Sequence, residues 1–163
     1  MSVLVREASA ADAAACAALY APYVTGTAIS FEVDPPSAEE MAARIAAAHV
    51  WLVAVEDDRV VGFAYAGEFK SRAAYARTCE VSVYLARDHT GRGAGRALYT
   101  DLLDRLTARG FRVAVAIIAL PNEASEALHR SFGFEPAGVL RGVGFKCGAW
   151  HDVAYWQRAL GSP

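Results

Sequence analysis

The stretch that most limits how this chain can fold runs from Val81 to Arg96. A β-rich run, Val81-Ser82-Val83-Tyr84-Leu85, is followed by a short connection and then by Gly91-Arg92-Gly93-Ala94-Gly95-Arg96, which leads straight into a helical pattern. A strand, a glycine-rich turn and a helix start in succession build an anion site. Small residues let the backbone curl so that several N–H groups converge, and the helix dipole adds partial positive charge at the same point. A pyrophosphate is the natural occupant. Spacing excludes two familiar phosphate loops: no lysine lies near the turn, as a P-loop requires, and the sixth residue counted from Gly91 is Arg96 and from Gly93 is Leu98, where a dinucleotide fingerprint needs glycine. Glycines can also make nothing more than a tight turn. Their place between a β-run and an amphipathic helix, with Asn122 opening another helix after the next strand, favours a ligand.

The rest of the chain arranges itself around this loop. Val3 to Glu7 reads as a strand, and Ser9-Ala10-Ala11-Asp12 resembles a capping box opening a helix to about Val24, stopped at Gly26. Ser37-Ala38-Glu39-Glu40, after Pro35-Pro36, starts a second helix to about Ala48. Trp51–Val55 and Val60–Tyr65 form an antiparallel hairpin, and Thr78–Ala86 a further strand. From Arg96 to Arg109, Leu98, Leu102 and Leu106 share one helical face, with Gly110 placed for a left-handed cap. Phe111–Ala119 is an unbroken apolar strand expected to be buried on both faces. Asn122 caps a short helix ending at Gly133, and Lys146-Cys147-Gly148-Ala149 forms the tip of a last hairpin. The order predicts an α/β (α+β) fold, a mixed sheet flanked by helices.

At 163 residues the chain fits a single domain, 1–163, with a core that needs no disulfide or structural metal. Much of its 55% apolar fraction is alanine, and no run approaches the length a bilayer requires. A start carrying Glu7 and Asp12 does not read as a secretory signal, so the expected location is cytoplasmic, with no membrane partner. Cys16, Cys79 and Cys147 are widely spaced and expected to be reduced thiols. A formal net charge of -2 gives no broad field for nucleic acid, so any anion must be held locally. His49 and His89 lack metal-site spacing and are expected at the surface; no metal is expected.

With these motifs in view the sequence resembles the GNAT acetyltransferase superfamily, whose acetyl-coenzyme A motif is Gln/Arg-x-x-Gly-x-Gly/Ala after the fourth strand. Thr90-Gly91-Arg92-Gly93-Ala94-Gly95 matches except at Thr90, and Asn122-x-x-Ser125-x-x-Leu128-His129-x-x-x-Gly133-Phe134 resembles the downstream motif, with His129 where tyrosine is usual. The likeness is nearer to the phosphinothricin and methionine sulfoximine N-acetyltransferase branch. It is carried by Ser30-Phe31-Glu32, Tyr65-Ala66-Gly67, Lys70-Ser71-Arg72, Glu80 to Tyr84, Leu120-Pro121-Asn122, Gly144-Phe145-Lys146 and Trp150 to Val153. It implies a mostly antiparallel sheet of about seven strands with about four helices, splayed at the acetyl-coenzyme A site. It also implies a small amine acceptor and, since dimers are usual among such proteins, a homodimer.

The resemblance assigns roles. Glu80 is the expected general base, needing partial burial or a water relay because an ordinary glutamate pKa near 4.3 is low for the task. His129 is the candidate to protonate the departing thiolate or assist deprotonation, against a plain half-buried helix histidine; His151 ranks lower and can simply pair across the last hairpin. Backbone N–H groups of Val83, Tyr84 and Leu85 are expected to hold the pantetheine arm and polarise the thioester, Asn122 to contact that arm, and Gly91, Arg92, Gly93, Ala94, Gly95 and Arg96 to bind the diphosphate. Phe31, Lys70, Ser71, Arg72, Glu80, Val81 and Ser82 are the expected acceptor-binding residues, with Arg72 able to grip a carboxylate bidentately. Glu32 brings negative charge near Phe31, which favours a methionine-sulfone-like acceptor over phosphinothricin. Acetyl transfer to another amine and a non-catalytic acyl-coenzyme A module are the alternatives.

Overall fold

The computed structural model describes residues 2–161. Its elements are β1 (Leu4–Glu7), α1 (Ala13–Gly26), α2 (Ala38–Ala47), β2 (Val50–Glu56), β3 (Arg59–Glu68), β4 (Thr78–Leu85), α3 (Ala94–Ala108), β5 (Val113–Ala119), α4 (Glu123–Ser131), β6 (Glu135–Lys146) and β7 (Ala149–Ala159). The order and type of elements follow the sequence pattern. Seven strands form one sheet in the order β1-β2-β3-β4-β5-β7-β6, and every neighbouring pair is antiparallel except β4–β5.

Local chemistry sets the punctuation. Ser9 Oγ accepts from the Ala11 amide while the Asp12 carboxylate accepts from the Ser9 amide, so the expected capping box forms; it caps a single 3-10 turn that then widens into α1. Asp57 and Asp58 take φ of 50° and 60°, giving the β2–β3 hairpin two left-handed turn residues, as Cys147 and Gly148 do at 54° and 74° between β6 and β7. Arg44 lies in the last turn of α2, where a cation complements the helix dipole.

Strand alternation divides the core into two layers. Leu52, Ala54, Val61, Ala64 and Val81 face α3, whose Leu98, Leu102 and Leu106 are fully buried; Trp51, Val53 and Phe63 face the opposite way, against α1 and Met41 of α2. Strands β2 and β3 are covered on both sides, whereas β6 is largely exposed.

Two expectations change in detail. The helix after the loop begins at Ala94, because Gly93 already supplies a left-handed cap at φ 91°. β5 begins at Val113 and is not buried on both faces: Ile117 is 38% exposed. The reason lies in its pairing with β4, which covers only Thr78–Val113, Cys79–Ala114 and Glu80–Val115. Beyond that point β4 stays with β3 to Leu85, and β5 stays with β7 to Ala119. The parallel pair therefore opens into a wedge.

Candidate active site

The wedge leaves one edge of β4 without a strand partner, and the direction of its backbone groups can be deduced. The Ala86 amide donates to Val61 O at 2.8 Å, and Leu85 O, on the other side of the same peptide, accepts from the Tyr23 hydroxyl at 2.5 Å. Residues along a strand alternate between the two edges. Val83 and Leu85 thus turn their N–H groups toward the wedge, whereas Tyr84, paired with Phe63, turns its amide to β3. Of the three backbone donors expected from sequence, two face the opening.

A cavity of about 680 Å³ fills this wedge. Its walls include Val81–Leu85 of β4, Ala116–Ala119 of β5, and Asn122, Ser125, Leu128 and His129 around α4. Its mouth meets Thr90, Gly91, Gly93, Gly95 and Arg96. Gly91 and Gly93 have φ of 73° and 91°, a region disfavoured for residues with a Cβ, and nothing lies within 4 Å of where a Cβ would stand. Glycine is needed there for backbone shape and not for packing. No side chain caps α3, so its first amides remain free at the mouth. Asn122 Oδ1 accepts from the Ser125 amide at 3.2 Å and so serves as a helix cap while also lining the cavity.

His129 is 3% exposed. Its Nδ1 is 2.7 Å from Ser125 O and its Nε2 is 2.8 Å from the Tyr99 hydroxyl. A neutral ring with the proton on Nδ1 satisfies both contacts, and burial pushes its pKa below the ordinary histidine value. The ring is a satisfied core imidazole whose edge reaches the cavity.

Glu80 stands at the apex of the wedge, paired with Gly67 on one side and Val115 on the other. Its neighbours Cys79 and Val81 point into the α3 layer, so its carboxylate turns to the opposite face. Glu80 is half-buried; desolvation raises its pKa above the ordinary carboxylate value, with Lys70 acting in the other direction. It does not line the cavity wall, and neither do Phe31, Lys70, Ser71, Arg72, Arg92 or Ala94. Lys70, Ser71 and Arg72 are exposed on the β3–β4 connection. Phe31 lies across the sheet on the α1–α2 connection, its ring over Gly144, where a Cβ would come within 2.2 Å of it, and 6.2 Å from the His151 ring.

A polar network, buried at its Lys146 end, fixes that connection. Arg44 forks the Glu32 carboxylate at 2.9 and 2.5 Å, the Tyr20 hydroxyl donates to the same carboxylate, and Lys146 Nζ donates to Ser30 O and Glu32 O at 2.6 Å each. Arg44 is the main reason the Glu32 carboxyl is held below its usual range. The negative charge expected beside Phe31 is therefore neutralised within the fold, which removes it as an argument against a phosphinothricin-type acceptor. Lys146, read from sequence as a turn residue, is 9% exposed. His89, expected at the surface, is 7% exposed and sits between Glu56 and Asp88.

Tyr23, Ile29, Arg87, Tyr99 and Ile117 also line the cavity and were not expected there. The sequence held one signal for Tyr99: it follows Arg96 by one helical turn, on the face that meets α4. Tyr23, Ile29 and Arg87 reach the cavity only through tertiary packing, as when the Arg87 guanidinium lies 5.2 Å from the Tyr23 ring. Among the described residues no group of three His, Cys, Asp or Glu side chains could hold a metal ion, and no helix is long and apolar enough to cross a membrane.

A sheet split over a glycine loop, with free amides along the split, defines the class of acyl-coenzyme A-dependent acyltransferase folds. A model of the acetyltransferase (GNAT) domain matches residues 5–155, and the chain belongs to that family. It is 40% identical to a phosphinothricin N-acetyltransferase of Streptomyces viridochromogenes, over 99% of this chain and 90% of that protein. It is 36% identical to the L-methionine sulfoximine/L-methionine sulfone acetyltransferase of Pseudomonas paraeruginosa, over 98% and 96%. A crystal structure of a phosphinothricin acetyltransferase from Sinorhizobium meliloti in complex with acetyl-coenzyme A superposes with a TM-score of 0.95 at 39% identity, covering 99% of this chain and 90% of that one.

The buried neutral state of His129 has a consequence for stability. Its folded pKa lies below the unfolded value of about 6.5, so between the two the unfolded chain binds more protons. The thermal midpoint should fall as pH drops from 7.5 to 5.5, and His129→Gln should flatten that slope. An identical slope in the variant would show that His129 does not carry the effect.

Proposed function

We propose that this protein transfers the acetyl group of acetyl-coenzyme A to the α-amine of a small, carboxylate-bearing, amino-acid-like acceptor of the methionine sulfoximine, methionine sulfone or phosphinothricin type. The observation that carries the reading is the unpaired edge of β4, with the Val83 and Leu85 amides facing a cavity that begins at the glycine loop. Free amides at the start of α3 suit a diphosphate, and the wedge suits the arm that follows it. Acetyl-coenzyme A supplies the activated acetyl group as a thioester.

The chain's own residues would do the remaining work. The Val83 and Leu85 amides donate toward the arm and the carbonyl oxygen that takes up negative charge. Glu80, made more basic by burial, accepts the ammonium proton of the acceptor, directly or through water. The nitrogen loses a second proton as the amide forms, and the thiolate leaving group takes one up. His129 as a neutral Nδ1–H ring is a poor acid for that step, because its proton is already given to Ser125 O. We assign His129 to shaping the cavity wall, with the nucleophile's own proton reaching the thiolate. Lys70 and Arg72 supply positive charge for an acceptor carboxylate, and Phe31 with Val81 and Ser82 borders the acceptor side.

The finer setting is also proposed. The unit acts in the cytoplasm, where free Cys16, Cys79 and exposed Cys147 stay reduced. It pairs with a second copy through β6, an edge strand of the sheet that carries exposed Val139, Leu140 and Val143, with Phe145 and Trp150 near the hairpin tip. Sedimentation should give twice 17.4 kDa, and Leu140→Lys should return the chain to one copy; a wild-type monomer at micromolar concentration would refute the pairing.

Two kinetic outcomes test the chemistry. Glu80→Gln should lower kcat by about 10² or more and leave acetyl-coenzyme A affinity nearly unchanged; full turnover in this variant would remove Glu80 from the mechanism. In thiol-release assays over a panel of amines, methionine sulfone, methionine sulfoximine or phosphinothricin should turn over fastest, and Arg72→Ala should raise the acceptor KM about tenfold. Preference for a polyamine, or an unaltered KM, would reject the carboxylate clamp.

A further inference from the structure

The segment between β4 and the glycine loop ends in His89, whose ring is held at both nitrogens by carboxylates from different parts of the chain. Nε2 is 2.7 Å from Glu56 Oε2, at the end of β2, and Nδ1 is 3.1 Å from Asp88 Oδ1. Asp88 is itself forked by Arg59, the first residue of β3, at 3.0 and 3.1 Å. Arg92, inside the loop, brings its guanidinium to 3.4 Å from His89 Nε2. One side chain thus fastens the start of the loop to the β2–β3 hairpin.

None of His89, Glu56, Asp88, Arg59 or Arg92 lines the cavity, whereas Thr90, Gly91 and Gly93 do. The loop itself has little to hold it. Gly91 and Gly93 are exposed, adopt left-handed backbone, and have nothing packed within 4 Å of their Cβ positions. Its shape must come from its two ends: buried Ala94 at the start of α3, and His89.

We propose that His89 is a positioning residue, an imidazolium latch between Glu56 and Asp88 that keeps the glycine loop in its anion-binding shape. Acceptor oxygens on both sides call for a proton on each ring nitrogen, and the two carboxylates raise the pKa of the ring. Loss of one proton turns a lone pair toward a carboxylate. Arg92 opposes the charged form from the loop side, while Arg59 acts only through Asp88. The latch is therefore held most firmly at low pH and releases as pH rises through the elevated value. The ligand's identity rests on the function proposed above; the latch does not.

The test uses ligand-free full-length protein and three variants: His89→Gln, Glu56→Gln, and Glu7→Gln as a control that removes an exposed ion pair between Glu7 on β1 and Arg105 on α3. Hydrogen exchange of residues 90–96 should speed up about tenfold in the first two and not in the control. Calorimetric Kd for acetyl-coenzyme A, and its KM, should rise about tenfold while kcat changes less than about twofold. In wild type the Kd should climb with pH toward the variants' value, and His89→Gln should lack that slope. Unchanged loop exchange and Kd in both variants would overturn the latch, as would kcat and acceptor KM falling off together with affinity. Failure of wild type to bind acetyl-coenzyme A would instead count against the proposed function, and loop exchange would still decide the latch.

Discussion

A strand that leaves its neighbour must satisfy its backbone in another way, and this requirement organises the molecule. Buried peptide groups without partners are costly, so a sheet does not part without reason. Here β4 keeps β3 and β5 keeps β7, so each strand remains anchored on one side while the edge between them opens after Glu80 and Val115. The open edge creates the cavity, exposes Ile117, and supplies amides that a bound molecule can satisfy as a strand would. Tyr23 takes up one of the freed groups, Leu85 O, at the open end of the wedge near the glycine loop.

The two sides of the site are fixed by different physics. On the co-substrate side the donors are main-chain amides, and their placement depends on backbone conformation at Gly91 and Gly93. Around Phe31, polar side chains are locked together: Arg44, Glu32, Tyr20 and Lys146 hold the α1–α2 connection against the end of β6. Lys146 donates to two carbonyls and the Glu32 carboxylate receives three donors, so the buried end of the network at Lys146 is well satisfied. Gly144 leaves room for the Phe31 ring, which a Cβ there would push aside.

Much of this was legible in the sequence because it rests on local rules. The capping box at Ser9, the leucine stripe on α3, the glycine cap at Gly110 and the Asn122 cap are short-range patterns with one physical solution each. The glycine loop and its helix were legible for the same reason. His89, Lys146 and Glu32 were not, since their side chains meet partners 33, at least 114, and 12 positions away, and no periodicity records such meetings. The direction of the Tyr84 amide was likewise hidden, because strand parity is set by which residue first pairs with β3.

The state of His129 follows from the same distinction between local and tertiary constraint. Its position in α4 gives it Ser125 O one turn back, a contact any helix offers a histidine at that spacing. Tyr99, from a different helix, then claims the other nitrogen, and burial removes the charge. A proton donor for a thiolate needs a mobile proton, and the proton of this ring is held by Ser125 O. Glu80 is the contrary case. It stands where two strands part, half-buried and without a hydrogen-bonding side-chain partner among the described residues, and burial raises its basicity. Contacts to Ser125 and Tyr99 commit the His129 ring to the fold, whereas the Glu80 carboxylate carries no such commitment, and the proposed choice of base rests on that contrast.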